Sequence, residues 1–240
     1  MKLCDLHTHV LPGVDDGAES MEYALQMLRN AVASDVEVLA VTPHCNGTDR
    51  DGWTSPAQLQ TGFLRLQKAA AEIPIQLVPG AEIRITEELP ALVKTRSLPT
   101  LGGGSYLLAE FSPAHRIEEF APALQQLLDG GYVPLIAHPE RHPEICRQPA
   151  AVMDWLDMGC HLQLTGDSIL GRFGRTVQQT ARFLLERELV ACVASDAHGV
   201  NHRSNFLLDV YDHLSLRYSK QYAGCLMYEN PMGICLDDDI

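Results

Sequence analysis

Short hydrophobic runs alternate with longer amphipathic segments along most of the chain. Apolar runs of about four to eight residues are typical of strands, whereas apolar residues three and four positions apart are typical of helices. The pattern predicts seven strands, at approximately Lys2 to Leu6, Val36 to Val41, Ile75 to Pro79, Tyr106 to Phe111, Tyr132 to Ala137, His161 to Leu164 and Leu189 to Ala194. Runs such as VEVLAV and LVACVA are almost wholly apolar, which favours strands of a parallel sheet covered on both faces.

Amphipathic segments separate these predicted strands. The first has Ser20 as its N-cap and places one apolar face on Met21, Ala24, Leu25, Leu28, Ala31 and Val32. The second begins after Ser55, where Pro56 at the first helical position and Gln58 complete a capping box. Further helices are predicted at Ile117 to Leu128, Ala150 to Met158, Thr176 to Glu188 and Ser204 to Tyr218, with a shorter one between Glu88 and Arg96.

This alternation predicts an α/β fold in which helices cover a parallel sheet. A closed or nearly closed (β/α) barrel is the leading architecture, and an open doubly wound sheet is the alternative. The chain has 240 residues, 46% of them hydrophobic, and no linker-like segment divides it. We therefore expect a single domain over residues 1–240.

Composition narrows the functional classes. The 18 basic and 31 acidic residues give a formal charge of -13, which repels polyanions and argues against a nucleic-acid partner. The seven cysteines are scattered without a C-x-x-C pair, which is typical of reduced thiols in the cytosol. Neither a signal peptide nor an apolar stretch of about 18 residues is visible, so we predict a cytoplasmic protein without membrane insertion.

Ionisable side chains follow nearly every predicted strand. They are His7, His9, Asp15, Asp16, His44, Glu82, Glu110, His138, Arg141, Asp196 and His198. Because the carboxyl ends of parallel strands share one face, these groups are expected to converge there.

Each of these residues alone has an ordinary structural explanation. A histidine at a strand end is commonly held by hydrogen bonds, a glutamate can cap a helix, and Asp15 and Asp16 before Gly17 suit a turn. Gathered at one rim, however, the carboxylates would repel one another and lose hydration, a conflict that bound cations remove. Imidazole and carboxylate donors without cysteine suit manganese, iron or zinc in a catalytic site.

The motifs that carry these residues stand in a defined order. They are DLHTHVLPGVDDG from Asp5, TPH from Thr42, GAEI from Gly80, LAEF from Leu108, AHPER from Ala137 and ASDAH from Ala194. In this order they resemble the polymerase and histidinol phosphatase superfamily, within it the bacterial tyrosine-protein phosphatases of capsule and exopolysaccharide loci. The resemblance runs from residue 3 to about residue 232 and implies a distorted (β/α)7 barrel of TIM type with three divalent metal ions.

The resemblance also implies roles for individual residues. The first ion would be held by His7, His9, Glu82 and Asp196. The second would be held by Glu82, Glu110 and His138, so that Glu82 bridges two ions. The third would be held by Asp16, His44 and His198. Arg141 and Arg203 would hold the substrate phosphate, whereas Cys45, His142 and His202 receive no role.

The implied activity is hydrolysis of phosphotyrosine by a hydroxide that bridges two metal ions. Manganese is the expected metal, ahead of iron, zinc or magnesium, and the expected partner is the tyrosine-rich tail of a bacterial kinase that controls polysaccharide assembly. A cysteine mechanism is disfavoured because the chain has no C-x5-R stretch. Two alternatives remain: a small-molecule phosphatase acting on a compound such as histidinol phosphate, and a non-catalytic metal-binding scaffold. The oligomeric state and the acid that protonates the leaving group stay open.

Overall fold

The computed structural model describes residues 2–45, 55–86, 89–95 and 97–240. These residues contain nine strand segments, all paired in parallel. They are β1 (Leu3–Asp5), β2 (Val36–Val41), β3 (His44–Cys45), β4 (Gln76–Pro79), β5 (Glu82–Arg84), β6 (Tyr106–Glu110), β7 (Val133–Ala137), β8 (His161–Thr165) and β9 (Cys192–Ala194).

Two strands of the barrel are each divided into two short segments. One set of strands has the order β1-β2-β4, and the other has the order β3-β5-β6-β7-β8-β9. The β3 segment continues β2 after a break at residues 42–43, and β5 continues β4 after a break at residues 80–81. Pro43 contributes to the first break, because it has no N–H to donate to the ladder. The nine segments therefore occupy seven strand positions.

Hydrogen bonds beyond the ends of β1 and β9 close the ring. The Asp196 N–H donates to the His7 carbonyl at 2.9 Å, and the His9 N–H donates to the Ala197 carbonyl at 2.8 Å. Thr8 and Ala197 accordingly form a parallel bridge. The last strand thus pairs with the first, which confirms the predicted barrel against an open sheet. All seven predicted strands are present, and only the short polar segments β3 and β5 were not predicted.

The helices alternate with the strand positions up to β9, as the pattern predicted, and further helices follow β9. They are α1 (Met21–Ala33), α2 (Pro56–Ala69), α3 (Leu89–Thr95), α4 (Phe120–Asp129), α5 (Pro143–Arg147), α6 (Val152–Asp157), α7 (Gly166–Ile169), α8 (Arg175–Leu185), α9 (Leu208–Arg217), α10 (Lys220–Gly224) and α11 (Asn230–Leu236). A π-helical turn, Cys225–Glu229, joins the last two, and helical structure after Lys220 was not predicted.

The predicted helix starts agree with the structure where capping chemistry marks them. The Ser20 hydroxyl accepts from the Tyr23 N–H at 3.2 Å, and the Ser55 N–H donates to the Gln58 side chain at 2.9 Å. The short helix is present as α3, but its predicted limits, Glu88 and Arg96, lie outside the described residues.

Helix α11 covers the end of the barrel opposite the carboxyl ends of the strands. Its Ile234 is buried in one cluster with Cys4 of β1 and Cys192 of β9. No helix among the described residues is long and apolar enough to cross a membrane. None of the seven cysteines, all of which lie within the described ranges, forms a disulfide. The cytoplasmic location and the single-domain organisation stay predictions.

Candidate metal centre

The structure brings all nine predicted metal ligands together at the carboxyl ends of the strands. They form overlapping groups whose donor atoms lie within 4.8 Å of one another. The groups are His7, His9 and Glu82; His7, His138 and Asp196; His44, Glu82 and Glu110; and His9, Asp16, His44 and His198. The barrel brings most of these residues together, because they lie at or near the end of a strand position; Asp16 instead lies in the loop between β1 and α1.

Four buried donor atoms surround a common point at the centre of this arrangement. The Nε2 atoms of His7 and His9 are 3.2 Å apart. Each lies 3.3 Å from Glu82 Oε2, and they lie 3.4 and 3.5 Å from Asp196 Oδ1, respectively. Four ligands at about 2.1 Å from one ion in a tetrahedral arrangement would be about 3.4 Å apart. The four atoms therefore have the spacing of a first coordination sphere.

Hydrogen bonds on the far sides of both imidazoles fix their orientation. His7 Nδ1 lies 2.9 Å from the Gln163 Oε1 atom, and His9 Nδ1 lies 2.8 Å from Asp15 Oδ2. Since both partners accept hydrogen bonds, each Nδ1 donates a proton outwards, and the Nε2 atom of each imidazole faces the centre, where its lone pair is available once the proton on Nε2 is displaced. Asp196 Oδ1 is also buried and has no hydrogen-bond partner among the described residues. Lone pairs directed at one point fit a bound cation.

The protonation equilibria of these groups indicate an anionic centre. Burial favours a neutral carboxyl, but His7 and its neighbouring histidines outweigh burial and hold the pKa of Glu82 well below its usual value. Burial is likewise outweighed at Asp196, chiefly by His7 and His9, and its pKa is also well below the usual value. Both carboxyls are therefore ionised at neutral pH. Burial lowers the pKa of His7 and His9, but the facing carboxylates outweigh it and raise both pKa values. A cation would replace the protons that these histidines attract.

Glu82 lies between two sets of imidazoles. Its Oε2 faces His7 and His9 and also lies 3.0 Å from His44 Nδ1, whereas its Oε1 lies 3.0 Å from His138 Nε2. The side chain is only 1% exposed. Two oxygens directed at different groups of donors are the arrangement that a bridging carboxylate requires.

A third group of donors lies towards the solvent. Asp16 Oδ1 is 3.6 Å from His44 Nε2 and 3.4 Å from His198 Nε2, and the Asp16 side chain is 67% exposed. Burial, followed by the positive charge of His9, lowers the pKa of His198 to about 3. His198 is therefore neutral at physiological pH, the form in which imidazole binds a metal. The three residues predicted to hold the third ion therefore lie together, and His9 belongs to the same group of donor atoms.

Glu110 differs most from its predicted surroundings. It was grouped with Glu82 and His138, whereas its donor atoms in the structure cluster with those of Glu82 and His44. Its Oε2 also accepts a hydrogen bond from Arg84 Nε at 2.9 Å. The carboxylate is therefore oriented in part by an arginine that the sequence did not single out.

Both predicted phosphate-binding arginines hold the same carboxylate oxygen. Arg141 Nη1 lies 2.5 Å from Asp196 Oδ2, and Arg203 Nη2 lies 2.6 Å from that oxygen. This arrangement leaves Oδ1 of Asp196 to the histidines. Arg203 Nε is buried without a hydrogen-bond partner in the described part of the chain. A guanidinium with an unused buried donor beside the metal ligands is suited to an anionic ligand.

The backbone adopts left-handed conformations at three site residues. His138 has φ 36°, Asp196 has φ 52° and Arg203 has φ 46°. Such values are uncommon for residues other than glycine and cost about 1–3 kcal/mol each, so surrounding structure must hold them in place. His138 and Asp196 adopt this conformation just after β7 and β9, and Arg203 adopts it in the loop between β9 and α9.

Two orienting residues were not identified as such from the sequence. Gln163 was predicted only as part of the strand His161 to Leu164, and Asp15 only as one of the converging acids or a turn residue. The available signal for Gln163 was a lone amide inside the buried run HLQLT, where a polar side chain requires a partner. Of the residues without a predicted role, Cys45 is in the core, His142 is buried against Phe120 and His202 is exposed.

Replacing Gln163 by leucine is expected to weaken metal binding about 10–100-fold, because His7 would lose the acceptor that fixes its tautomer. The measurement is metal titration followed by calorimetry. The matched control is Gln163→Glu, which keeps an acceptor and should bind metal within a few-fold of the wild type. Equal affinity in Gln163→Leu and wild type would show that the 2.9 Å contact does not orient His7.

Comparison with known proteins identifies the family. The family model for capsular polysaccharide synthesis, CpsB/CapC, matches residues 3–236. The tyrosine-protein phosphatase YwqE of Bacillus subtilis is 35% identical over 206 residues, which cover 84% of this chain and 80% of the relative. The tyrosine-protein phosphatase CpsB of Streptococcus pneumoniae is 30% identical over 244 residues, covering 98% and 99% of the two chains.

Solved structures agree with this relationship. A structure from a study of YwqE and CpsB, described there as unique metal-dependent tyrosine phosphatases, superposes with a TM-score of 0.90 at 30% identity and covers 99% of this chain and 96% of that one. A phosphotriesterase homology protein from Escherichia coli superposes with a TM-score of 0.66 at 10% identity over 98% and 99% of the chains, which supports the fold alone. From its match over nearly the whole length, the chain belongs to the CpsB/CapC family of capsular polysaccharide synthesis proteins.

Proposed function

We propose that this protein is a metal-dependent tyrosine-protein phosphatase. The observation that carries the proposal is the set of four buried donor atoms, 3.2–3.5 Å apart in the measured pairs, beside two arginines bound to one of the ligands. The similarity to YwqE and CpsB, which are named as tyrosine-protein phosphatases, supports the same assignment.

The proposed cofactor is a set of three divalent ions, with manganese the first candidate. Imidazole nitrogens and carboxylate oxygens without thiolates suit manganese, iron or zinc. The first set of ligands would be His7, His9, Glu82 and Asp196; the second Glu82, Glu110 and His138; and the third Asp16, His44 and His198. When bound, such ions would lower the pKa of coordinated water to about 7 and polarise phosphoryl oxygens.

The residues of the chain itself orient the substrate and balance its charge. Arg141 and Arg203 are each about one-third exposed, so their guanidinium groups reach the open side of the centre while remaining anchored on Asp196. Planar guanidinium donors suit paired contacts with phosphate oxygens, and the same contacts stabilise the charge of the transition state. They can attract a phosphate dianion locally, although the whole chain has a formal charge of -13.

The proposed physiological partner is a phosphotyrosine protein, in particular the tail of a bacterial tyrosine kinase that regulates capsule or exopolysaccharide synthesis. The family description, capsular polysaccharide synthesis, supports this setting. A cytoplasmic location would fit seven cysteines that form no disulfide among the described residues.

The proposal is tested by side-by-side turnover of a phosphotyrosine peptide and histidinol phosphate, combined with elemental analysis. We expect faster hydrolysis of the phosphotyrosine peptide and loss of activity with chelator. Preferential hydrolysis of histidinol phosphate would instead identify a small-molecule phosphatase. No hydrolysis by a fully metallated preparation would favour a metal-binding scaffold.

Replacing Arg141 by alanine is expected to reduce turnover by about 10²–10³-fold while metal content stays normal. Metal is retained because Arg203 still holds Asp196 Oδ2 at 2.6 Å. Arg141→Lys should rescue little, because an ammonium group lacks the planar pair of donors. Steady-state kinetics and elemental analysis on the same preparations check both parts. Metal loss in Arg141→Ala would show that this arginine supports the ligands instead of the substrate.

A further inference from the structure

A cavity of about 130 Å³ lies directly beside the candidate metal centre. Its polar end is formed by Glu110, His138 and Arg141, all of which belong to the proposed catalytic site. Apolar and aromatic side chains, including Phe111 and Pro113, line much of the rest. The cavity therefore joins metal ligands and a phosphate-binding arginine to an aromatic wall.

The aromatic wall is rigidly supported. Phe111 stacks on Phe120 with a centroid distance of 3.6 Å and an interplanar angle of 17°, and the Phe120 centroid lies 5.2 Å from that of Trp155. Phe120 and Trp155 are each 1% exposed, and Phe111 is 8% exposed. Side chains packed in this way keep their rotamers, so the shape of the wall exists before any ligand binds.

We infer that this cavity receives the phenyl ring of phosphotyrosine and that Phe111 limits the size of the ring it accepts. The inference rests on the proposed function and deepens it by assigning the aryl subsite. An apolar cavity of about 150 Å³ holds one benzene ring, so a space of about 130 Å³ suits a single ring better than a fused pair. With the ring against Phe111, the ester phosphate lies at the polar end beside Arg141.

The cavity also has an exit for the polypeptide that carries the tyrosine. Pro113 lines the cavity and is exposed, so the space reaches the protein surface at that residue. A phosphoserine side chain lacks the aromatic ring and would leave the aromatic wall uncovered. The subsite therefore gives a physical reason for preferring aryl over alkyl phosphate esters.

A second aromatic side chain lies beside Arg141 and defines the alternative position. The Arg141 guanidinium carbon is 4.9 Å from the centroid of the Phe173 ring. Phe173 is not among the residues that line the cavity. We assign the substrate ring to the Phe111 side because the enclosed space and the metal ligands are there, while the Phe173 ring already stacks on the guanidinium.

The test compares phenyl phosphate with 2-naphthyl phosphate in the metallated full-length protein. The wild type should hydrolyse phenyl phosphate with the higher kcat/KM. Phe111→Val removes part of the wall and should raise the ratio of naphthyl to phenyl kcat/KM at least about 10-fold, the scale on which small changes in an apolar pocket act. The milder variant Phe111→Leu should change the ratio in the same direction and keeps the test usable if Phe111→Val does not fold.

Phe173→Val is the matched control, because it makes the same chemical change on the other side of Arg141. Its ratio should stay within about twofold of the wild type, well below the change expected at the wall. A rise in the ratio for Phe173→Val with none for either Phe111 variant would place the ring on the Phe173 side and overturn the inference. An unchanged ratio in every folded variant would also overturn it. Failure of the metallated wild type to hydrolyse either ester would instead overturn the proposed function.

Discussion

Replacing Glu82 by glutamine is expected to lower phosphatase turnover at least about 10³-fold and to reduce metal content. The Oε2 atom of Glu82 faces three imidazoles, and its Oε1 atom faces His138. Glutamine would place an N–H donor against imidazole nitrogens on one side and would remove the negative charge that both groups of donors share. The substitution therefore affects both groups of candidate metal ligands that include Glu82.

The measurement is kcat/KM for a phosphotyrosine peptide together with metal equivalents per chain. Glu144→Gln is the matched control, because Glu144 is 30% exposed and accepts a hydrogen bond from the Ile117 N–H at 2.7 Å, which a glutamine carbonyl can also accept. The control should retain metal and turnover. Wild-type metal content in Glu82→Gln would exclude a bridging role for this carboxylate.

Complete removal of metal is expected to abolish turnover and to lower the melting temperature by at least about 10 °C, the change expected for the loss of one tightly bound ion. A ligand present at 1,000 times its dissociation constant stabilises the folded state by about 4.1 kcal/mol per site. For a chain of 240 residues, each kcal/mol corresponds to about 2–4 °C. The loss should be reversible, because the fold is formed by parallel strand pairing and an apolar core that do not use the metal.

Chelation, removal of the chelator by dialysis and addition of one metal at a time provide the measurement. Activity should return with the metal that the protein uses. The melting temperature should rise over the same range of metal concentration. Undiminished hydrolysis by protein with less than about one-tenth of a metal equivalent would refute metal dependence, since bound ions supply the reactive water in the proposed chemistry.

Much of the barrel could be predicted because its strands are buried on both faces. Runs such as Val36–Val41 are almost wholly apolar, and the predicted segment has the observed bounds. The nine ligands could be predicted to converge from one physical rule, namely that the carboxyl ends of parallel strands share a face. His7 and Asp196 are distant along the chain, yet the rule brought them together.

The hydrophobic pattern of the sequence could not predict features that depend on side-chain orientation. The β3 and β5 segments carry His44 and Glu82, so they lack the apolar signal of a strand. The grouping of Glu110 depends on a hydrogen bond from Arg84, which no spacing indicates. The cavity beside Phe111 results from packing among residues of several elements, and that packing is encoded by shape more than by periodicity.

The hydrogen bonds that close the barrel between β1 and β9 have a consequence for the synthesis of the protein. The carbonyl of His7 accepts a hydrogen bond from the Asp196 N–H, and the carboxylate of Asp5 accepts one from the Ser195 N–H at 2.9 Å, so residues that are distant along the chain complete the barrel together. A contact between residues 190 positions apart closes late, because the intervening chain must first be ordered. During translation His7 and His9 therefore emerge long before Asp196, one of the two carboxylates that face them. A nascent chain would lack the Asp196 ligand until residue 196 has left the ribosome.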